Sequence, residues 1–247
     1  MIRLERIFTP LCLAPSRVTD LTAQYIANGT SVWNFDDLKG ALLRTSYGKC
    51  AYCECRLSEE SKYVEVEHFF CKSLYAQQVV EWENLLPSCK RCNGAKSGHD
   101  VGVEPIVNPY IDDPADHLTF RLYQLRPASG KGRATLEVLD LNDSERVVKV
   151  RFEIGEAIQS SLSQAVEKLE RYTEQQTTRR RNVLLSHLRG LLHECQPSSD
   201  YSATSATVLH SDQRYPDMRS ELIRLELWNE QLEELHSASA RLVLRCV

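Results

Sequence analysis

Hydrophobic positions recur at helical spacing in the first fifth of the chain. Phe35, Leu38, Leu42 and Leu43 follow Asn34, an N-cap residue type, and predict a helix over Asn34 to Ser46; a shorter one is predicted over Asp20 to Ala27. Residues 49–100 lose that period and show only short extended runs. Past the Pro/Asp-rich stretch 108–114, Leu118 to Leu125 and Ala134 to Leu139 alternate like strands, with a turn over Ser129 to Gly132. Helical spacing then returns. Asn142 and Glu145 resemble a capping box, and Val147, Val150, Ile154, Ala157, Leu162, Ala165, Leu169 and Tyr172 follow as one stripe, although Val147 to Ile154 alone also alternates like a strand. A second helix is predicted at about Arg179 to Glu194, and a final one carries Met218, Leu222, Leu225, Trp228, Leu232 and Leu235. Between them, Gln196 to Asp212 is rich in Ser, Thr and Ala and reads as a mobile loop or linker. The succession predicts an α+β chain: an N-terminal helical segment (1–48), an irregular core (49–107), a strand-rich extension (108–143) and a helical C-terminal region (144–247).

Composition narrows the class. With 247 residues, 42% apolar and 26% charged, the chain can bury a core and is neither disordered nor fibrous. No apolar run approaches the roughly 20 residues that span a bilayer. Arg3, Glu5 and Arg6 interrupt the N-terminus, and Leu11 to Ala14 is too short for the apolar core of a signal peptide, so a cytoplasmic location is expected. Nine cysteines, an odd number without an export signal, read as reduced thiols. The net charge of −4 argues against a surface that is basic throughout.

Six of the nine cysteines fall within residues 49–100, four of them as Cys50-x-x-Cys53 and Cys89-x-x-Cys92. Two such turns can close tetrahedral four-sulfur coordination, for which Zn²⁺ is the expected structural ion. A redox dithiol or accidental pairing is the bland alternative, and the doubled spacing weighs against it. Cys55 and Cys71 are substitute ligands without a partner at the right spacing; Cys12, Cys195 and Cys246 are expected to be free thiols.

Between the pairs run Val64-Glu65-Val66-Glu67-His68-Phe69-Phe70 and Trp82-Glu83-Asn84-Leu85-Leu86-Pro87, and directly after Cys92 comes Asn93-Gly94-Ala95-Lys96. In a regular strand Glu65 and Glu67 share one face, with Val64, Val66 and His68 on the other. An acid–His pair, then Asn, then Cys-x-x-Cys-Asn-x-x-Lys resembles the HNH endonuclease family, whose ββα-metal site is a hairpin and helix around one divalent cation. The match covers about residues 49–100. A histidine titrates near neutral pH, so His68 can act as general base toward a water. The resemblance implies Glu67 and Asn93 as ligands of a catalytic Mg²⁺ or Mn²⁺ and Asn84 as the residue that holds the hairpin loop. Lys96 is read as a phosphate contact. Glu67 stands where the family more often has Asp, and Asn93 replaces its final His. Glu65 is either a supporting carboxylate or a solvated strand residue, and His99 is an accessory ligand or a surface histidine.

Residues 49–100 carry seven Lys/Arg against eight Asp/Glu, a net of about −1, which is weak attraction for a polyanion. Lys90, Arg91 and Lys96 form a candidate nucleic-acid-binding edge; Arg179 to Arg181 with Arg189 form another or a solvated helix face. Capture of nucleic acid is therefore expected to depend partly on a partner. The strings Asn108-Pro109-Tyr110-Ile111-Asp112-Asp113-Pro114, His117-Leu118-Thr119-Phe120 and Leu139-Asp140-Leu141-Asn142 ahead of long helices narrow the resemblance to PtuB-type nuclease subunits of Septu and retron-associated anti-phage systems. That resemblance implies an ABC/SMC-like ATPase partner of the PtuA type, in some systems with a retron reverse transcriptase and its RNA–DNA product. It further implies cleavage of DNA, or of tRNA in some retron systems. A stand-alone restriction-like nuclease and a non-catalytic zinc-stabilised binding module are the alternatives. The C-terminal helices would dock the partner or complete an ordinary core.

Overall fold

The computed structural model describes residues 1–57 and 63–247 and divides into two compact units. The first comprises Met1–Leu118 and Arg126–Asn142, the second Thr119–Leu125 and Asp143–Val247.

In the first unit, α1 (Pro15–Asn28) starts earlier than the stripe suggests, because Pro15 occupies the first turn, where its missing N–H costs nothing. It stops at Gly29, in the left-handed region at φ 66°. Helix α2 (Asp36–Thr45) is capped at Phe35, not Asn34, and places Asp36 and Asp37 in its first turn, where the helix dipole favours negative charge. Leu38, Ala41 and Leu42 are fully buried, worth about 1.5–3 kcal/mol for each leucine. They belong to one cluster with Val66, Val79, Val80, Trp82 and Leu85, so the N-terminal helices roof the hairpin that carries the acid–His pair. Strands β1 (Glu65–His68) and β2 (Leu85–Ser88) pair antiparallel, with Glu67 opposite Leu86 and His68 opposite Leu85. Helix α3 (Lys90–Lys96) follows at once.

The strand expected at Ala134 to Leu139 is helix α5 (Gly130–Val138), reached after the short α4 (Pro114–His117). Ser129, expected inside a turn, caps it by accepting from the Gly132 N–H at 3.0 Å. A side chain at Gly132 would meet the His117 carbonyl oxygen at 1.9 Å, so glycine serves close packing there. The other expected strand, Leu118 to Leu125, is a hairpin of β3 (Leu118–Arg121) and β4 (Gln124–Pro127). Its turn residues Leu122 and Tyr123 both have positive φ, at 48° and 62°. Neither is a turn-type residue. Within the second unit, the Tyr123 hydroxyl donates to Glu156 at 2.9 Å and its ring packs on Phe152, which holds the strained turn.

The second unit is helical. Asp143, not Asn142, caps the π turn Ser144–Val148, which resolves Val147 to Ile154 as helix. Helices α6 (Lys149–Glu174) and α7 (Thr178–His193) bury Ile158, Leu162, Ala165 and Leu169 from one and Leu184, Leu188 and Leu191 from the other. The expected mobile linker contains α8 (Ser202–Ser211), buried over its first eight residues. Its hydroxyls make this feasible without bulk: Thr207 Oγ1 donates to the Ala203 carbonyl at 2.6 Å. The single final helix is two, α9 (Arg214–Arg224) and α10 (Glu230–Ala240), because Asn229 caps the second through the Leu232 N–H at 3.0 Å. No helix among the described residues is long and apolar enough to cross a membrane.

Within this unit the His210 ring lies 5.1 Å from both Tyr215 and His236, and its Nε2 is 2.8 Å from Ser239 Oγ. Burial, reinforced by His236, pushes its pKa down to about 4 from 6.5. Between those values the unfolded chain binds the extra proton, so stability falls as pH drops from about 6.5 toward 4. Calorimetric melting temperatures should decline across that window in the parent and decline less in His210→Asn; parallel curves would disconnect His210 from the acid sensitivity.

Candidate functional site

Two tight turns bring four thiols together. The Cys50–Cys53 turn closes through Glu54 N–H to Cys50 O at 3.0 Å and Cys50 N–H to Cys55 O at 2.9 Å, with Glu54 at φ 66°. Cys89 is the N-cap of α3, and its sulfur accepts from the Cys92 N–H at 3.4 Å. The sulfurs of Cys50, Cys53, Cys89 and Cys92 all lie within 4.8 Å of one another. That donor set could hold a metal such as zinc. Cys55 lies outside the mutually close four. Cys71 instead donates to the Gly98 carbonyl at 3.6 Å. Arg91 serves the sulfur cluster: Nη2 donates to Cys92 Sγ at 3.2 Å and Nη1 to the Asp140 carbonyl at 2.9 Å. Burial disfavours its charge, yet the neighbouring Cys92, Cys53 and Cys89 outweigh that and hold its pKa above the ordinary value.

Beside the thiols, β1 and α3 form a cavity of about 560 Å³ whose lining includes Glu65, Glu67, His68, Lys72, Lys90 and Asn93. Strand alternation separates His68 from the two glutamates, but His68 ends β1 and its ring reaches the same cavity. Its Nε2 lies 2.9 Å from the Val79 carbonyl. A carbonyl only accepts, so Nε2 carries the proton and Nδ1 is the basic nitrogen. Trp33 packs edge-on against the imidazole at 4.6 Å. Burial first, and then the charge of Lys72, push the His68 pKa down to about 4, so the ring is neutral at pH 7.

Asn84 fastens the loop between the strands. Its Oδ1 accepts from the Phe70 N–H at 2.7 Å, and its Nδ2 donates to the carbonyls of Phe70 at 3.1 Å and Gln78 at 2.9 Å. Gln78 precedes Val79, so the same side chain fixes the peptide segment that sets the His68 tautomer. Asn93 Nδ2 donates to Glu65 Oε2 at 2.6 Å, which makes Glu65 the carboxylate that orients Asn93 and leaves Oδ1 as the amide's ligand atom.

Lys96 is not part of an exposed basic edge. It is 1% exposed, lies 2.7 Å from Glu67 Oε1 and donates to the His68 carbonyl at 2.8 Å. Placed one helical turn after Asn93, its side chain passes beneath the cavity to β1, where the buried Glu67 charge requires a counterion. Burial nevertheless pushes the Glu67 carboxyl up to about 7 against the pull of Lys96. Lys90 stays exposed. His99 turns to the Glu104 carbonyl at 2.8 Å, away from these groups. The motif did not reveal Trp33, Val79 or Lys72; only Lys72, four residues after His68, stood close enough in sequence to draw notice.

A hard cation at the cavity would use oxygen donors, and Glu67, Glu65 and Asn93 supply them from adjacent elements. Among the described residues the four cysteines are the only His/Cys/Asp/Glu group whose ligand atoms already converge. Such a cation would therefore take few protein ligands and complete its shell with water and substrate, as Mg²⁺ commonly does.

The chain is 41% identical over 246 residues to the Septu protein PtuB of Bacillus thuringiensis, spanning 99% of this chain and 95% of that protein. A Septu protein PtuB of Bacillus mycoides (strain KBAB4) is 30% identical over 146 residues, 44% of this chain and 48% of its own. No protein-family model and no solved structure matches the chain.

Two substitutions separate the roles of these groups. Cys92→Ser should lose bound zinc, measured by atomic emission, together with the cooperative unfolding of the first unit; full stability and unchanged metal content would dismiss the tetrad as a metal site. Lys96→Met strands Glu67 and should cost about 3 kcal/mol in urea unfolding, with Glu67→Gln added restoring part of it. No restoration would mean that the pair is not coupled.

Proposed function

The chain belongs to the PtuB family of Septu proteins, and on that premise we propose that it is a divalent-metal-dependent HNH-type endonuclease, the effector subunit of a bacterial anti-phage system. The observation that carries this reading is the His68–Val79 hydrogen bond: it dedicates Nε2 to a carbonyl and leaves a neutral imidazole with a basic Nδ1 in a cavity shared with Glu67 and Asn93.

In the proposed reaction His68 Nδ1 takes a proton from the water that attacks the phosphodiester phosphorus, and the departing 3′ oxygen leaves in line. Asn84 is a positioning residue, acting on His68 through the loop it fastens. Glu67 and Asn93 would hold the catalytic Mg²⁺ or Mn²⁺, with Glu65 turning the Asn93 amide. That cation, when bound, neutralises charge on the phosphate and on the leaving oxygen. Lys96 offsets part of the cost of ionising the buried Glu67 and ties α3 to β1; this internal role replaces the phosphate contact suggested by its spacing. The sulfur tetrad, loaded with Zn²⁺, is closed and structural. Arg91 supports it, so of the three cations first read as a nucleic-acid edge only Lys90 is fully available to substrate.

The weak net attraction for a polyanion supports a partner in nucleic-acid capture. Family membership favours an ATPase of the PtuA type, with a retron reverse transcriptase and its RNA–DNA product in some systems. DNA is the favoured substrate, with tRNA the second candidate, and the cytoplasm the site of action.

His68→Ala should lower cleavage about 10²- to 10⁴-fold while zinc content stays at the parental value. EDTA treatment mild enough to spare the zinc should stop cleavage, and added Mg²⁺ or Mn²⁺ should restore it. Cleavage that survives either intervention would remove His68, or the hard cation, from the mechanism.

A further inference from the structure

The motif leaves the cavity a single uncommitted cation, Lys90. A phosphodiester entering it meets the carboxylates of Glu65 and Glu67. Lys96 is spent on Glu67 and the His68 carbonyl, with its side chain fully buried, and Arg91 is spent on the sulfur cluster and the Asp140 carbonyl. Lys90 remains, on α3.

We infer that Lys72, held against Trp33 at the cavity wall, is the residue that binds a backbone phosphate of the substrate beside the scissile bond. The inference rests on the nuclease reading and adds to it a binding residue from the loop between β1 and β2. Lys72 lines the same cavity as His68 and Asn93, is exposed, and has no carboxylate partner among the described residues. Its ammonium lies 5.2 Å from the centroid of Trp33, and Trp33 lies 4.6 Å from the His68 ring. One indole thus sets the cation and the base at neighbouring positions. The backbone is tethered as well: the Lys72 carbonyl accepts from Tyr25 Oη at 3.3 Å, and the Leu74 and Tyr75 N–H groups donate to the Cys71 carbonyl at 3.0 and 2.9 Å. The field of Lys72 reaches both Glu67 and His68, in keeping with a charge poised over the reacting centre. A lysine whose ammonium is held over an indole face has already lost part of its rotamer freedom, so less is lost when a phosphate arrives. The contact reads backbone charge and not base edges, so it is indifferent to sequence.

The test uses the full-length chain with any protein that purifies with it, Lys72→Met and Lys72→Arg variants, and two labelled probes, a short DNA duplex and a tRNA transcript. Binding by fluorescence anisotropy is followed over a salt series, and kcat and KM are measured on whichever probe the parent cuts. Lys72→Met should reduce the slope of log Kd against log salt by about 1 and raise KM more than it lowers kcat, at parental melting temperature and zinc content. Lys72→Arg should restore the slope. A parent that cuts while Lys72→Met keeps its slope overturns this inference and spares the nuclease reading. So does a Lys72→Met whose losses follow lowered stability and are not rescued by Arg, which would make Lys72 a packing residue. A parent that neither binds nor cuts either probe overturns both.

Discussion

The proximity of four sulfurs is the constraint on which this structure turns. Strands of four residues each, followed by a seven-residue helix, expose too much backbone and bury too little apolar surface to fold alone. Cys89 and Cys92 sit on the first turn of α3, and Cys50 and Cys53 on a turn ahead of the hairpin. Bringing these turns within 4.8 Å fixes where α3 starts relative to β2. That in turn fixes Asn93, the residue after the last thiol, against Glu65. The roof of α1 and α2 over the apolar face of the hairpin supplies the burial that the small hairpin and helix lack.

Polar side chains then convert a clamped scaffold into an oriented site. Asn84 makes three hydrogen bonds within a single loop, Lys96 spans from helix to strand, and Val79 offers a carbonyl to an imidazole eleven residues away in sequence. Each satisfies a buried group that would otherwise cost stability, so folding and site geometry rest on the same contacts. The cation in Lys96 is a structural necessity of burying Glu67, and it is the reason that a lysine at this spacing does not face solvent.

Where chemistry dictates spacing, the sequence was legible. The doubled Cys-x-x-Cys pattern located the sulfur cluster, the α2 stripe located its helix to within two residues, and α7 matched its expected span to within one. Legibility failed where tertiary contacts override local signals. The Leu122–Tyr123 turn has no glycine or asparagine to announce it and is held by Glu156 and Phe152. In α5, alternation mimicked a strand although Ser129 was a cap. Helix α8 hid because its buried face is built from Ser, Thr and Ala, which carry little hydropathy. Lys72 lines the cavity with its ammonium over Trp33, a residue far off in sequence, a juxtaposition that only folding creates.

The Glu67–Lys96 pair also sets the oxygen donors of the cavity apart from the four thiols. A carboxylate already compensated by an ammonium at 2.7 Å gives an incoming ion less net attraction than a bare one would. Beside the thiols, the Arg91 guanidinium donates to the Cys92 sulfur at 3.2 Å. A hard cation bound at the oxygen donors would therefore exchange readily with its surroundings, whereas an ion gripped by all four sulfurs would be slow to leave.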